Sequence, residues 1–515
     1  MAEKYLTILE VSQKQAYIFE SNKMKDNIIN SAVIARCLSP EYIKETLKQS
    51  DIKYNETDNL VYSGGGHTVL EFSDEDTAKR SVWEITKRIY KDFDGLMVFA
   101  KTIPYDQNKS AKDNLKDLTA ALEKKKAIRE SAFRHGSFGV EKIDVNTLKP
   151  QKTLTETGAQ EENQKEDQKE EIRETEYNYT IKKFTPEGYQ AAYRFEDLGG
   201  EKGSSNFIAV VHIDGNGMGK RVDGLYKHME KHRIKDWKDI KTKLREFSDC
   251  IDMDFKAAFK EMTEEVKNSL ESGKLKGCLK LKKEGNAYCF PIRRIITAGD
   301  DICFVTEGRI GIECARIYIE KLKKKINKAD GEGYSACAGV AIVHQKYPFF
   351  RAYELAEELC SNAKKAGAEL SPDDNGSNVC SIDWHVEFGE VRSKEEIRED
   401  YIADDGSVLT QRPYVLGANV DVIIPEVKLY SSFAEKLQEL IGCEKEYGDG
   451  KVKMLRNVMK QGKAETENYV KFYQLGYKIG ANYRRLDMDS ANQERDLIAE
   501  GLFDAIEIMD TFFFV

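Results

Sequence analysis

Apolar residues in this chain fall into short continuous or alternating runs and into longer stretches spaced by three and four, and these kinds recur twice in one order. The first copy opens with the strand-like YLTILEV (5–11) and continues as a helical stretch to about residue 49. A hairpin pattern, VYSGGGHTVLEF (61–72), then leads into an amphipathic helix, DTAKRSVWEITKRIYKDF (76–93), and a strand, GLMVFAKTIPYD (95–106). The second copy opens with FIAVVHID (207–214), followed by a long helical region to about residue 270. Its hairpin is RRIITAGDDICFV (293–305), its helix GIECARIYIEKLKKKINK (311–328) and its closing strand YSACAGVAIVHQKYP (334–348). Strand, helix, hairpin, helix, strand predicts an α/β (α+β) fold of two ferredoxin-like units, each a sheet covered by helices on one face.

The rest of the chain divides around these copies. The first copy occupies 1–107, and 108–200 predicts a helix (about 108–131) followed by a flexible linker. Within that linker TETGAQEENQKEDQKEEIRETE (155–176) is too polar and charged to offset the entropy of ordering. The second copy spans 201–390 and includes the helix FRAYELAEELCSNAKKAG (350–367), with Gly367 as its stop signal, and an added strand, NVCSIDWHVEFG (378–389). From 391 to 515 the pattern is mainly helical and predicts a separate domain.

Composition narrows the classes. Hydrophobic residues make up 40% and charged ones 33%, as in soluble globular proteins. No apolar run is long enough to span a bilayer, and MAEKYLTILEV lacks the basic start and apolar core of a signal peptide, so a cytoplasmic protein without membrane contact is expected. The ten cysteines stand singly with no CxxC pair, which excludes a zinc ribbon; Cys303 and Cys337 read as small core residues. A net charge of −9 disfavours nonspecific duplex DNA binding, and the basic stretches 274–285 and 321–328 read as solvated faces.

Chemistry gathers in the second copy. FIAVVHID is a nearly continuous apolar run ending in a carboxylate, so Asp214 leaves the hydrophobic layer at a sheet edge. GNGMGK follows: Gly215, Gly217 and Gly219 allow close backbone approach, the amides around Asn216 suit phosphate oxygens, and Lys220 adds a positive charge. In TAGDD, Gly299 precedes two adjacent aspartates, Asp300 and Asp301, which repel unless a cation screens them. In a ferredoxin-like order the first strand and the hairpin are neighbours, so Asp214 can face Asp300 and Asp301. Such a cluster fits Mg2+ (or Mn2+) and two-metal phosphoryl or nucleotidyl transfer, with Asp214, the Gly215 carbonyl, Asp300 and Asp301 as the metal-binding set. Lys364 or Lys365, in NAKKAG, is placed to reach triphosphate oxygens. GNGMGKR is no P-loop, since three residues rather than four separate its flanking glycines and Arg221 stands in place of Ser or Thr. His228 and His232 have helical spacing without an HExxH frame and read as surface residues. The first copy has Ser12 where the aspartate is expected and a hairpin, SGGGHT, without a carboxylate, so it reads as a structural or nucleotide-contacting partner.

IAVVHIDGNGMGK, TAGDD and the strand and helix ending in NAKKAG resemble the second palm domain of the large polymerase-cyclase subunit of type III CRISPR complexes. SQKQAYIFESNKMKDNIINSAVIA with YSGGGHTVLEF is similar to that family's carboxylate-free first palm. The resemblance covers roughly 5–105 and 205–390, and AKxxG at 363–367 is shared with the more distant GGDEF cyclases. It implies synthesis of cyclic or linear oligoadenylates from ATP in antiviral defence, with Asp214, Gly215, Asp300 and Asp301 at the metal and Lys364 on the triphosphate. Ala298 replaces the first glycine of the motif, the cysteine-rich zinc module is missing, and no His-Asp dipeptide is present, which points to a stand-alone relative. Two other readings stay open: a catalytically silent nucleotide sensor or scaffold and, ranked last, a template-copying polymerase. Protein or RNA partners and a homodimer are also left open.

Overall fold

The computed structural model describes residues 4–21, 23–93, 95–128, 183–199, 206–296, 299–372, 376–387, 394–447, 449–473 and 501–515; the predicted linker at 155–176 and Ala298 lie outside these. The first copy comprises β1 (Tyr5–Ser12), α1 (Lys14–Ile18), α2 (Met24–Cys37), α3 (Pro40–Gln49), α4 (Glu56–Asn59), β2 (Leu60–Gly64), β3 (His67–Phe72), α5 (Glu75–Asp92) and β4 (Met97–Pro104). Its strands pair in the order β2-β3-β1-β4, the ferredoxin-like arrangement the pattern predicts. Helix starts follow local chemistry: Ser39 accepts from the Tyr42 amide with Pro40 in the first turn, and Asp74 accepts from the Thr77 amide at 2.7 Å.

After α6 (Ala111–Ala127) and β5 (Tyr189–Gln190), the second copy begins with β6 (Phe207–Gly215), α7 (Met218–Lys231) and α8 (Trp237–Glu271). It continues through a small hairpin, β7 (Lys283–Glu284) and β8 (Ala287–Cys289), to β9 (Ile292–Ile296), β10 (Asp301–Glu307), α9 (Gly311–Lys323), β11 (Ala336–His344), α10 (Phe349–Leu370) and β12 (Val379–Glu387). Beyond α11 (Lys394–Glu399) the range expected to be helical also supplies a strand, β13 (Tyr414–Ala418), before α12 (Tyr430–Tyr447), α13 (Asp449–Met459), α14 (Lys463–Phe472) and α15 (Leu502–Ile508). The second sheet therefore runs β13-β12-β11-β6-β10-β9. Buried Arg412, 3.0 Å from both Asp504 and Glu507, ties α15 to this widened edge.

Helices cover both faces of each sheet, not one as the pattern suggests. In the first copy, β1 turns Leu9 and Val11 toward α2 and α5. Its other face, with Leu6 and Ile8, is closed by Leu115, Leu118 and Leu122 of α6 and by Leu225, Met229, Leu244 and Phe247 of α7 and α8. Burying each such side chain contributes roughly 1.5–3 kcal/mol, so the second copy's helices complete the first copy's core. In the second copy, α9 and α8 lie on the Ala209 face, while α10 lies on the face of Val210, His212 and Asp214. Gly339, opposite His212, allows this packing: a Cβ there would sit 2.0 Å from the Ala356 carbonyl oxygen of α10.

Other local expectations change in detail. Gly367 does not end its helix; it is buried inside α10, which runs on to Leu370, and its bare backbone faces Val379 of β12. The helix predicted over 311–328 stops at Lys323, after which Ile326 bridges to Gly333. The basic stretch 321–328 leans on α8, where Lys321 pairs with Glu265 and Lys325 with Glu261, and in 274–285 Lys282 pairs with buried Asp197. Cys303 and Cys337 are buried, as read, and no described helix is long and apolar enough to cross a membrane.

Candidate active site

Asp214 is the eighth residue of β6 and lies directly across the ladder from Asp301, the first residue of β10. Directly opposed like charges destabilise an antiparallel pair. Asp300 occupies the turn before β10, and Gly299 in that turn has φ +72°, a left-handed conformation that glycine adopts without strain. The hairpin thus delivers two carboxylates to the strand that carries the third.

Electrostatics reflect this crowding. Burial, then Asp214, raises the Asp300 carboxyl above the usual range. Asp301 is pushed up to about 8, first by enclosure and then by Asp214 and Asp300. Its Oδ1 is shut in without a hydrogen-bond partner, whereas the side chain as a whole is 41% exposed, and that open part tempers the rise. Lys364 projects from within α10, not from its end, and donates to Asp214 Oδ2 at 2.5 Å and to the Gly215 carbonyl at 3.3 Å. Burial works against this ammonium, yet Asp214 more than offsets it and holds the lysine above its ordinary value.

Among the described residues no three His, Cys, Asp or Glu side chains already converge as a metal shell. The donor set nevertheless fits a hard divalent cation: three carboxylates at one sheet edge, an orphaned carboxylate oxygen on Asp301, and a lysine ammonium standing on Asp214 where positive charge is needed.

The glycine loop divides by role. Gly217, at φ +64°, starts α7, and Gly219 and Lys220 lie exposed in its first turn. Gly215 is enclosed; a Cβ there would approach Asp300 Cβ to 3.3 Å. Asn216 faces inward: its amide donates to the Val379 carbonyl at 2.7 Å, and its backbone N–H to the Ser335 carbonyl. The structure thus leaves Asn216 to hold the loop by its side chain. His228 and His232 are exposed at the C-terminal end of α7, their rings 4.3 Å apart and tilted by 43°.

The first copy, expected as a structural or nucleotide-contacting partner, enters the site through its glycine run, Gly64–Gly66. Gly299 packs on Gly65, with 3.4 Å between its virtual Cβ and the Gly65 Cα, so the two hairpin tips touch. Lys14 donates to the Gly65 carbonyl; burial lowers its pKa, while Glu10, Asp301 and Asp300 pull the other way. A cleft of about 1340 Å³ opens between the copies, lined by Gly64–Gly66, Gly219, Tyr226, Gly299 and Asp300. Register also revises the internal comparison: Glu10, not Ser12, lies opposite the first residue of the first copy's second hairpin strand, His67. Glu10 accepts from Lys126 of α6 at 2.8 Å, as Asp214 does from Lys364 of α10. Sequence reasoning missed His212, although a polar residue two before Asp214 shares its strand face. The His212 ring is buried and neutral, its pKa lowered to about 4 first by desolvation.

Fold and site define a protein with two palm domains, one bearing a carboxylate cluster and one not. Residues 207–369 match the model of the Cas10/Cmr2 second palm domain. No curated protein sequence matches this one. Among solved structures, the chain is similar to a Csm1–Csm4 cassette in complex with AMPPNP, at 15% identity over 98% of this chain and 70% of that one, with TM-score 0.56. The same cassette in complex with cA4 is similar at 14% identity over 99% and 70%, TM-score 0.55, and Csm1 in T. onnurineus at 15% over 99% and 70%, TM-score 0.54. The chain has the Csm1 fold, and the resemblance drawn from its motifs holds.

Proposed function

We propose that this chain is a Mg2+-dependent nucleotidyl transferase that makes cyclic or linear oligonucleotides from nucleoside triphosphates, with ATP favoured, as second messengers in antiviral defence. The observation that carries this reading is the cross-strand Asp214–Asp301 pair, joined by Asp300, which lines a cleft between the two palms. In the reaction a ribose 3′-oxygen forms a bond to an α-phosphorus, the bond from that phosphorus to the bridging oxygen of the β-phosphate breaks, pyrophosphate leaves and the hydroxyl proton passes to solvent. Asp214, Asp300, Asp301 and the Gly215 carbonyl would hold the divalent ions, whose contribution is to acidify the hydroxyl and screen the leaving group. Lys364, released from Asp214, and the backbone amides at the start of α7 would bind the departing phosphates. The cleft of about 1340 Å³ between the palms would receive the nucleotide substrates. ATP preference and the defence role rest on the resemblance to the type III polymerase-cyclase subunit, as does the expectation of a partner protein comparable to Csm4 in the cassette structures.

The test is incubation of the purified chain with Mg2+ or Mn2+ and each nucleoside triphosphate, followed by chromatography and a pyrophosphate assay. Oligonucleotide with stoichiometric pyrophosphate is expected; a chain that binds ATP and metal yet releases none from any nucleotide sinks the proposal. The Lys364–Asp214 contact favours a second reading, a silent nucleotide sensor whose metal position is filled by the lysine. That reading requires ATP binding to survive Asp300→Asn with no product from either form.

A further inference from the structure

We infer that His212 and Tyr353, which the proposed reaction does not use directly, position the Asp301 carboxylate, and that Phe19 and Gln15 of the first palm hold them in place. The inference rests on the reading of the carboxylates as a metal site.

His212 lies on β6 two residues before Asp214, on the same face, and its Nδ1 stands 3.4 Å from Asp301 Oδ1. Both atoms are buried and neither has a hydrogen-bond partner. Two facing orphans are unusual, because a buried polar atom without a partner keeps the cost of its lost hydration. At 3.4 Å the two atoms face each other without forming a hydrogen bond. A neutral ring with its proton on Nδ1 closes the gap by a small shift, and the bond strengthens when the carboxylate is ionised. One Asp301 oxygen is then committed to His212 and the exposed one is left for the cation. The neighbouring positions on this face, Ile208 and Val210, are apolar; a residue serving only the core here would be expected to match them.

Tyr353 of α10 fixes the imidazole. Its ring meets His212 edge to face at 5.5 Å and 87°. Its hydroxyl accepts from Gln15 Nε2 at 3.3 Å, and the same amide donates to Glu357 at 2.7 Å. Phe19, buried in the first palm, packs on the Tyr353 ring at 4.1 Å and on Phe349 at 5.7 Å. A chain of contacts therefore runs from the first palm through Tyr353 and His212 to Asp301, separate from the touching hairpin tips.

The experiment measures Mn2+ affinity of the full chain by the loss of the free-ion EPR signal, alongside thermal unfolding. His212→Phe keeps a ring against Tyr353 but removes the donor, whereas His212→Asn keeps a donor near the Nδ1 position and leaves a void. Expected is a loss of Mn2+ affinity of about ten- to hundred-fold in His212→Phe and near-native affinity in His212→Asn, the scale of outer-shell partners at metal sites. Stability should rank the two variants the other way round. A merely structural histidine gives affinities that follow stability, and that result, or native affinity in His212→Phe, overturns the inference. Phe19→Leu should weaken Mn2+ binding in the same direction but less, and unchanged affinity there overturns the role of the first palm. A wild-type chain that takes up no Mn2+ overturns the metal reading itself, and so is told apart from failure of the positioning role.

Discussion

The two palms share a strand order and even a lysine on the strand carboxylate, yet they differ where the hairpin returns. Opposite Glu10 stands His67, pushed down to about 4 chiefly by burial, and opposite Asp214 stands Asp301. In the first palm Lys126 meets Glu10 and also Glu123 of its own helix, and the hairpin adds no carboxylate. In the second, Lys364 meets Asp214, and the hairpin adds Asp300 and Asp301, whose further negative charge asks for a cation. The same scaffold is a completed ion pair on one side and an unfinished coordination site on the other. The difference lies in the residues at one turn, SGGGHT against TAGDDI, rather than in the backbone.

The largest expected effect separates the palms by activity. Asp214→Asn or Asp301→Asn should lower turnover at least about a thousand-fold, some 4 kcal/mol of transition-state stabilisation, whereas Glu10→Gln should leave most of it. Product formation measured on matched variants checks this, and equal losses break the comparison. EDTA should abolish product formation, with recovery on Mg2+ addition. Next in size, Phe19→Ala removes a buried ring from the junction and should cost about 3–5 kcal/mol in denaturant unfolding. Gly339→Ala drives a methyl into α10 and should cost about 1–3 kcal/mol, lowering turnover as Lys364 and Tyr353 shift.

A smaller effect concerns pH. Because the folded-state pKa of Asp301 is raised to about 8 from 3.8, the folded protein binds the extra proton, and stability falls as pH rises from about 4 to 8. Unfolding of the metal-free chain across that window should show a shallower decline in Asp301→Asn than in the wild type, and Mg2+ should stabilise more at pH 8 than at pH 5. Lys126→Met is the mildest variant, with about 1 kcal/mol or less expected because the pair is partly exposed, while Lys364→Met should cut turnover.

Much of this was legible along the chain. Alternation and helical spacing predicted both copies, and the candidate metal-binding turn is legible in TAGDD because adjacent carboxylates carry their own electrostatic signature. The helix ends at Gly367 and Lys328 were misread, since a glycine at a close approach and one at a helix stop look alike in sequence. Strand β13 was hidden because Tyr414–Ala418 is short and takes its partners, β12 and Leu429, from the tertiary fold.

By itself the sequence determined which residue types stand at each turn and how apolar positions repeat, because those depend on neighbours a few positions apart. Only the tertiary structure decided that Glu10 rather than Ser12 answers Asp214, that Gly65 and Gly299 touch, and that Phe19, Tyr353 and His212 form a path to Asp301. Those relations join residues tens to hundreds of positions apart. Their existence depends on strand register and on how two sheets and their shared helices exclude water, which no local pattern encodes.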